Sequence, residues 1–249
     1  MITIKNKTAI ARMQNAGRLL NEVFAELSSV IKADMTTLEV DNWIADALKK
    51  RALVSKSLGY HGYRHVSCIS VNDEVVHGVP SAANRLKEGD LVKVDVCASH
   101  DGYCADMARP FVIGVADDTV HRLITVAQQA LDKGIEQART GNRLSDISAA
   151  IQHEVESNGF GVVRDFAGHG IGKSMHEDPE VLNYGSPGKG PLLQEGMALA
   201  LEPMITTGNY KVYVESDGWT VKTVDHSLAA HVEDTIIITH AGPKIVTRG

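Results

Sequence analysis

Leu91-Val92-Lys93-Val94-Asp95-Val96-Cys97-Ala98-Ser99-His100-Asp101-Gly102-Tyr103-Cys104-Ala105-Asp106 decides the fold. It is an apolar strand interrupted by one aspartate, an Asp-Gly turn, and a second strand carrying another. Asp-Gly tolerates the positive φ that tight hairpin turns demand. With a two-residue loop, Asp95 faces position 108; with a four-residue loop it faces Asp106. Side chains alternate along a strand, so both registers put the two carboxylates on one face. Like charges side by side on an apolar strand repel, and a dication would relieve them. The other reading is a solvated hairpin tip with ordinary acids.

The flanks of this hairpin recur. Leu86-Lys87-Glu88-Gly89 returns as Leu193-Gln194-Glu195-Gly196, 107 positions on, and the same offset carries Asp95 to Glu202, Ile44 to Ile151 and Leu48 to Val155. His77-Gly78-Val79-Pro80 is echoed by His176-Glu177-Asp178-Pro179. The shared order predicts one domain, 1–249, made of related halves, roughly 1–115 and 116–249. A site on their pseudo-two-fold axis would be lined by Asp95, Glu202, His77 and His176.

Apolar periodicity predicts helices from Thr8 to about Lys32, from Thr36, from Asp118 to Ala138 and from Leu144 to Asn158. Thr36 with Glu39 forms a capping box, and Gly159 stops the last helix. Strands are expected at Val66–Val71, Leu91–Ala98, Tyr103–Ile113, Gly196–Ile205 and Thr235–Ile238. The class is α+β: an internally duplicated helix pair with an antiparallel sheet.

Composition removes several functions. The 249 residues are 43% hydrophobic, enough for a substantial core. A net charge of −6 opposes a phosphate-binding surface, so nucleic acid is not the expected ligand. Three cysteines, Cys68, Cys97 and Cys104, make no disulfide framework, which suits a reducing, cytoplasmic setting. No apolar run suits a signal peptide or a membrane span.

Three further pieces carry chemistry. Gly168-His169-Gly170-Ile171-Gly172 excludes a zinc-protease helix and matches no dinucleotide or phosphate-loop pattern. Its plainer reading is a glycine-rich turn with an incidental histidine. Glu202 lies between Leu201 and Met204 in an apolar stretch, and Glu233 opens the last strand. Asp95, Asp106, His169, Glu202 and Glu233 together give four carboxylates and one imidazole, a set whose charge two dications balance. Mixed oxygen and nitrogen donors suit manganese, iron, cobalt or zinc rather than copper.

These five motifs, in this order, resemble the metal-ligand motifs of the pita-bread metallopeptidases. Tyr60-His61-Gly62-Tyr63, Cys68-Ile69-Ser70-Val71-Asn72, His77-Gly78-Val79-Pro80 and Asp217-Gly218-Trp219 resemble those of the type I methionine aminopeptidases. The resemblance covers nearly the whole chain. It implies the pita-bread fold and two divalent ions (cobalt, manganese, iron or zinc) on Asp95, Asp106, His169, Glu202 and Glu233. It also implies removal of the initiator methionine when the second residue is small, by attack of a metal-bridging hydroxide on the first peptide bond. His77, His176 and Glu202 would be catalytic, with Glu202 carrying the proton. Tyr60, Tyr63, Cys68, Met175 and Trp219, with His77 and His176, would contact substrate. The implied partners are N-termini of nascent polypeptides. A monomer is expected, without membrane or nucleic-acid specificity, and a transient ribosome contact is compatible with the family.

Ser57 stands where family members often have cysteine, Met175 where they have phenylalanine, and Asp234 where histidine is common. The loop from Thr207 to Asp225 is less basic than in some relatives. Prolidases and aminopeptidase P are alternatives, but they usually carry a sizeable N-terminal domain. Type II enzymes carry a helical insertion in the second half, and the spacing here leaves no room for it. A catalytically dead binding protein of this fold would lose ligands, and this chain keeps all five.

Overall fold

The computed structural model describes residues 1–248. Four helices, α1 (Lys7–Leu27), α2 (Thr37–Lys50), α3 (Asp118–Gln137) and α4 (Leu144–Ser157), pack against a nine-stranded sheet. The helix spans match the periodicity, except that α1 stops five residues short of Lys32. Ser28 caps it there, its hydroxyl donating to the Ala25 carbonyl, and the chain turns toward α2. Thr36 caps α2 with the expected box: its hydroxyl accepts from Glu39 N–H and the Glu39 carboxylate accepts from Thr36 N–H.

The sheet runs Val54–Ser55, Leu91–His100, Tyr103–Val112, Glu233–Thr239, Ala198–Leu201, Gly168–Gly170, Glu177–Val181. Cys68–Val71 also pairs with Leu91–His100, and Gly242–Ile245 with Glu233–Thr239. Every pairing is antiparallel, and His100 faces Tyr103 across a two-residue loop, so Asp95 opposes Ala108 and Asp106 opposes Cys97. Val92, Val94 and Val96 join the core under α1 and α2, while the alternate positions Asp95 and Cys97 line a cavity. Each fully buried aliphatic side chain here contributes about 1.5–3 kcal/mol. A separate core unites α3 and α4 with Leu199, Leu201, Ile236 and Ile238.

The register repeats. Helices α2 and α4 are displaced by 107 positions at both ends. The bridge between Thr36 and Arg85 recurs, 107 on, between Arg143 and Leu192. Ser70 pairs with Lys93, and His169 pairs with Ala200, the position 107 after Lys93.

One expected strand is divided. Gly196–Ile205 is two strands, Ala198–Leu201 in the large sheet and Met204–Thr206 in a three-stranded sheet with Ala229–His231 and Gly161–Val162. Pro203 has no N–H to give a ladder, so the chain leaves one sheet for the other beside Glu202. No helix among the described residues is long and apolar enough to cross a membrane.

Candidate metal centre and active site

One cavity of about 250 Å³ is lined by Asp95, Asp106, His169, Glu202 and Glu233, by His77 and His176, and by Ser57, Tyr60, Tyr63, Cys68, Met175 and Trp219. Every site residue expected from the sequence therefore meets at one place, at the junction of the two halves.

The hairpin delivers Asp95 and Asp106 to the cavity floor. Thr235 fixes the backbone at Asp106: its hydroxyl accepts from the Asp106 N–H (2.8 Å) and donates to the Asp106 carbonyl (2.9 Å). His169 comes from the glycine-flanked strand. At Gly168 a Cβ would lie 2.4 Å from the Ala200 carbonyl oxygen, and at Gly170 one would lie 2.0 Å from the Asp178 carbonyl oxygen, so only glycine admits this approach. The His169 Nδ1 lies 2.9 Å from the Gly170 carbonyl, which assigns the proton to Nδ1 and leaves the Nε2 lone pair facing the carboxylates.

The ligand atoms of Asp106, His169 and Glu233 lie within 4.8 Å of one another. His169 Nε2 is 3.7 Å from Asp106 and 3.6 Å from Glu202, beyond hydrogen-bond range. The Glu233 Oε1 is buried and has no hydrogen-bond partner among the described residues. An orphaned carboxylate oxygen beside buried Asp106 and the half-buried Asp95 and Glu202 is costly unless a cation completes it.

Charge states agree. Burial raises Asp95 and Glu233 well above the usual carboxylate range, each with Asp106 adding to the effect. Burial, then Glu202, lifts Asp106 to about 7, and burial lifts Glu202 to about 8. Burial lowers His77 and His169 to about 4, so both imidazoles are neutral near pH 7. Four carboxylates that cannot all ionise, facing a neutral imidazole lone pair, form a donor set for divalent cations.

The two histidines of the H-x-x-P turns stand over this floor. His77 occupies the left-handed region, φ 58°, and its ring meets Phe166 edge-on at 5.4 Å. His176 lies 4.4 Å from the His169 ring and its Nδ1 is 2.8 Å from the Tyr60 hydroxyl. The apolar wall follows: Tyr63 meets Trp219 edge-on at 5.0 Å, with Cys68 buried beside them.

Five residues of the site are not evident from the sequence. Val76, Cys97, Phe166 and Ala167 complete the wall but carry no signal of their own. His231, buried with Nε2 unpartnered, lies 3.5 Å from the Glu202 carboxylate. Period-two alternation from Glu233 would have placed it on the same face. Asp234 is locked by Arg109 (2.6 Å), Thr247 (2.7 Å) and Arg248 (2.7 Å).

The sequence matches the model for metallopeptidase family M24 over residues 11–240. The chain is 49% identical to a methionine aminopeptidase of Clostridium acetobutylicum over 247 residues, 99% of each chain. It is 42% identical to methionine aminopeptidase 1 of Bacillus subtilis over the full length of both. A solved methionine aminopeptidase from Thermotoga maritima superimposes with a TM-score of 0.98, at 42% identity and full coverage of both chains, and the two share the pita-bread architecture.

Proposed function

The chain belongs to metallopeptidase family M24, and we propose that it is a methionine aminopeptidase, releasing the first residue of a protein when the second is small. The observation that carries this reading is the single cavity that joins a carboxylate and imidazole cluster to an aromatic-walled pocket.

Asp95, Asp106, His169, Glu202 and Glu233 would hold two divalent ions. Once bound, such ions activate water near neutral pH and polarise the scissile carbonyl. Manganese, iron, cobalt and zinc all suit these donors. Glu202, beside the attacking water, carries its proton to the leaving amine. Neutral His77 and His176 donate hydrogen bonds to the scissile carbonyl and the charge that develops on it. Tyr60 aligns the His176 ring through its contact with Nδ1.

The first side chain lies against Tyr63, Cys68, Met175 and Trp219, where an unbranched thioether packs well on aromatic walls. Both histidines must reach the first peptide bond, which leaves little room for a large second side chain. Exclusion by clash then sets the preference. One copy of the chain supplies the whole site, its two halves forming one catalytic domain, and it acts as a monomer on emerging N-termini.

Tripeptides varied separately at positions one and two, assayed metal-free and with each of the four metals, test the reading. Met-Gly, Met-Ala and Met-Ser starts should be cleaved and Met-Lys, Met-Leu and Met-Phe spared. Cleavage that requires proline at position two, without need of methionine, would indicate a prolidase-like activity instead. Metal binding without turnover would leave a binding protein.

A further inference from the structure

The segment Thr3–Lys5 lies far from the catalytic residues in sequence, yet it is built into the turn that carries one of them. The Lys5 ammonium donates to the Glu177 carboxylate at 2.7 Å, with side-chain exposures of 6% and 15%. The Thr3 hydroxyl donates to the same oxygen and also pairs with Lys5. The other Glu177 oxygen accepts from the backbone N–H groups of Lys173 (2.9 Å) and Ser174 (3.3 Å). One carboxylate thus closes the turn 173–177, which presents Met175 and His176 to the cavity, and fastens it to residues 3–5.

Two glycines make room for the fastening. At Gly172 a Cβ would lie 2.6 Å from the Glu177 carboxylate and 2.7 Å from Lys5 Cε. At Gly196, φ +86°, it would meet Ile4 at 2.7 Å. The Lys5 N–H donates to the Gly196 carbonyl at 2.7 Å, so the segment is held by its backbone as well. A buried ion pair contributes little net stability compared with apolar packing, so its value lies in where it holds the chain.

We infer that residues 3–5 are a positioning element of the reaction: Lys5, acting through Glu177, holds the turn that presents His176 in register with His169. This rests on the aminopeptidase reading above. Displacing a hydrogen-bond donor by about 1 Å costs up to about 10²-fold in rate. Lys5→Met keeps the unbranched apolar stem, one atom shorter, and removes the charge. It should lower kcat about 10–100-fold on a Met-Ala-Ser peptide, with KM within twofold and bound metal unchanged. Lys5→Arg, which keeps donors and charge, should recover most of kcat.

The decisive measurement is the double variant. On a His176→Ala background, Lys5→Met should change kcat by less than about twofold, because the residue it positions is gone. A general folding defect would instead lower kcat by the same factor on both backgrounds, and that would overturn the inference. So would a Lys5→Met enzyme with kcat within twofold of the parent. Should Lys5→Met fail to fold, Thr3→Val is compared in the same way on both backgrounds. It removes one donor to the shared oxygen, and about a threefold loss confined to the parent background is expected. A parent enzyme that cleaves no Met-Ala peptide would remove the aminopeptidase reading, an outcome separable from these.

Discussion

The halves share a frame but not a chemistry. Ser70 and His169 hold matching positions in the sheet, as do Asp95 and Glu202. In the first half Asp106 opposes Cys97; in the second the corresponding pair is His231 opposite Met204. Ala108 opposes Asp95, and the matching place beside Glu202 falls to Glu233. Duplication therefore supplied helices, turns and one carboxylate per half. The imidazole proposed as a ligand and the fourth carboxylate came from positions that are serine and alanine in the other half. Packing needs only size and period and survives copying, whereas a dinuclear site needs particular donors that need not be symmetric.

The largest test restores the symmetry. His169→Ser gives the second half the residue of the first and should lower kcat/KM by about 10³ or more, with bound metal lost in parallel. Asp106→Asn and exhaustive chelation should do the same. Metal content by elemental analysis, read beside activity, checks all three; turnover that survives chelation would sink the metal-centre assignment.

The turn histidines should behave alike despite their different surroundings. His77→Ala and His176→Ala should each retain metal and lose about 10²–10³ in kcat, as befits donors that act in the transition state. A variant of either that emptied a metal site would make that histidine a ligand.

The acids and the imidazoles of the site pull stability in opposite directions with pH. In metal-free protein, Asp106 at about 7 and Glu202 at about 8 hold protons that the unfolded chain releases near pH 4, so they cost stability as pH rises through that window. His77 and His169, at about 4, do the reverse below about pH 6.5. Above pH 6.5 the acids dominate, opposed in part by Lys93, which burial lowers to about 7 and which therefore adds stability as pH rises past that value. The melting temperature of metal-free protein should therefore fall by about 3 °C or more between pH 6.5 and 8. Bound metal should flatten that slope and release protons on binding. A metal-free melting temperature that rises across this interval would contradict the buried, protonated acids.

The smallest effect lies at the matched helix starts. Thr36 caps α2 with hydroxyl and carboxylate together, whereas Arg143 has no acceptor, and only the Asp146 carboxylate bonds back to its N–H. Thr36→Ala should cost about 1 kcal/mol, and Arg143→Ala less than about 0.5 kcal/mol, by denaturant unfolding. Equal costs would mean the caps contribute alike despite their chemistry.

Much of this was legible in the sequence, because helix period and the 107-residue offset survive as pattern. The Asp-Gly turn left two hairpin registers open, and both put Asp95 and Asp106 on one face, so the site did not depend on which formed. The break at Pro203 was harder to see. Apolar runs, Ala198–Leu201 and then Met204 with Ile205, flank the Glu202-Pro203 pair, and pattern does not tell a strand that changes sheets from one that continues. His231 escaped because the long connection 207–228 shifts the offset in the last hairpin, so no repeated word marks it. The attachment of Lys5 to Glu177 joins residues 172 positions apart, and nothing in local sequence announces such a pairing.

The strand Glu233–Thr239 pairs with Tyr103–Val112 on one edge and with Ala198–Leu201 on the other. It is thus the seam between the halves as well as the bearer of Glu233. Neither half can close its sheet alone, and closing the sheet and completing the donor set are one event. Refolding should accordingly be limited by this non-local strand insertion, and competence for metal should arise at that step rather than gradually. A chain halted before the seam would lack Ile236 and Ile238 from the core of α3 and α4 and Glu233 from the donor set, which ties quality of folding directly to the capacity to react.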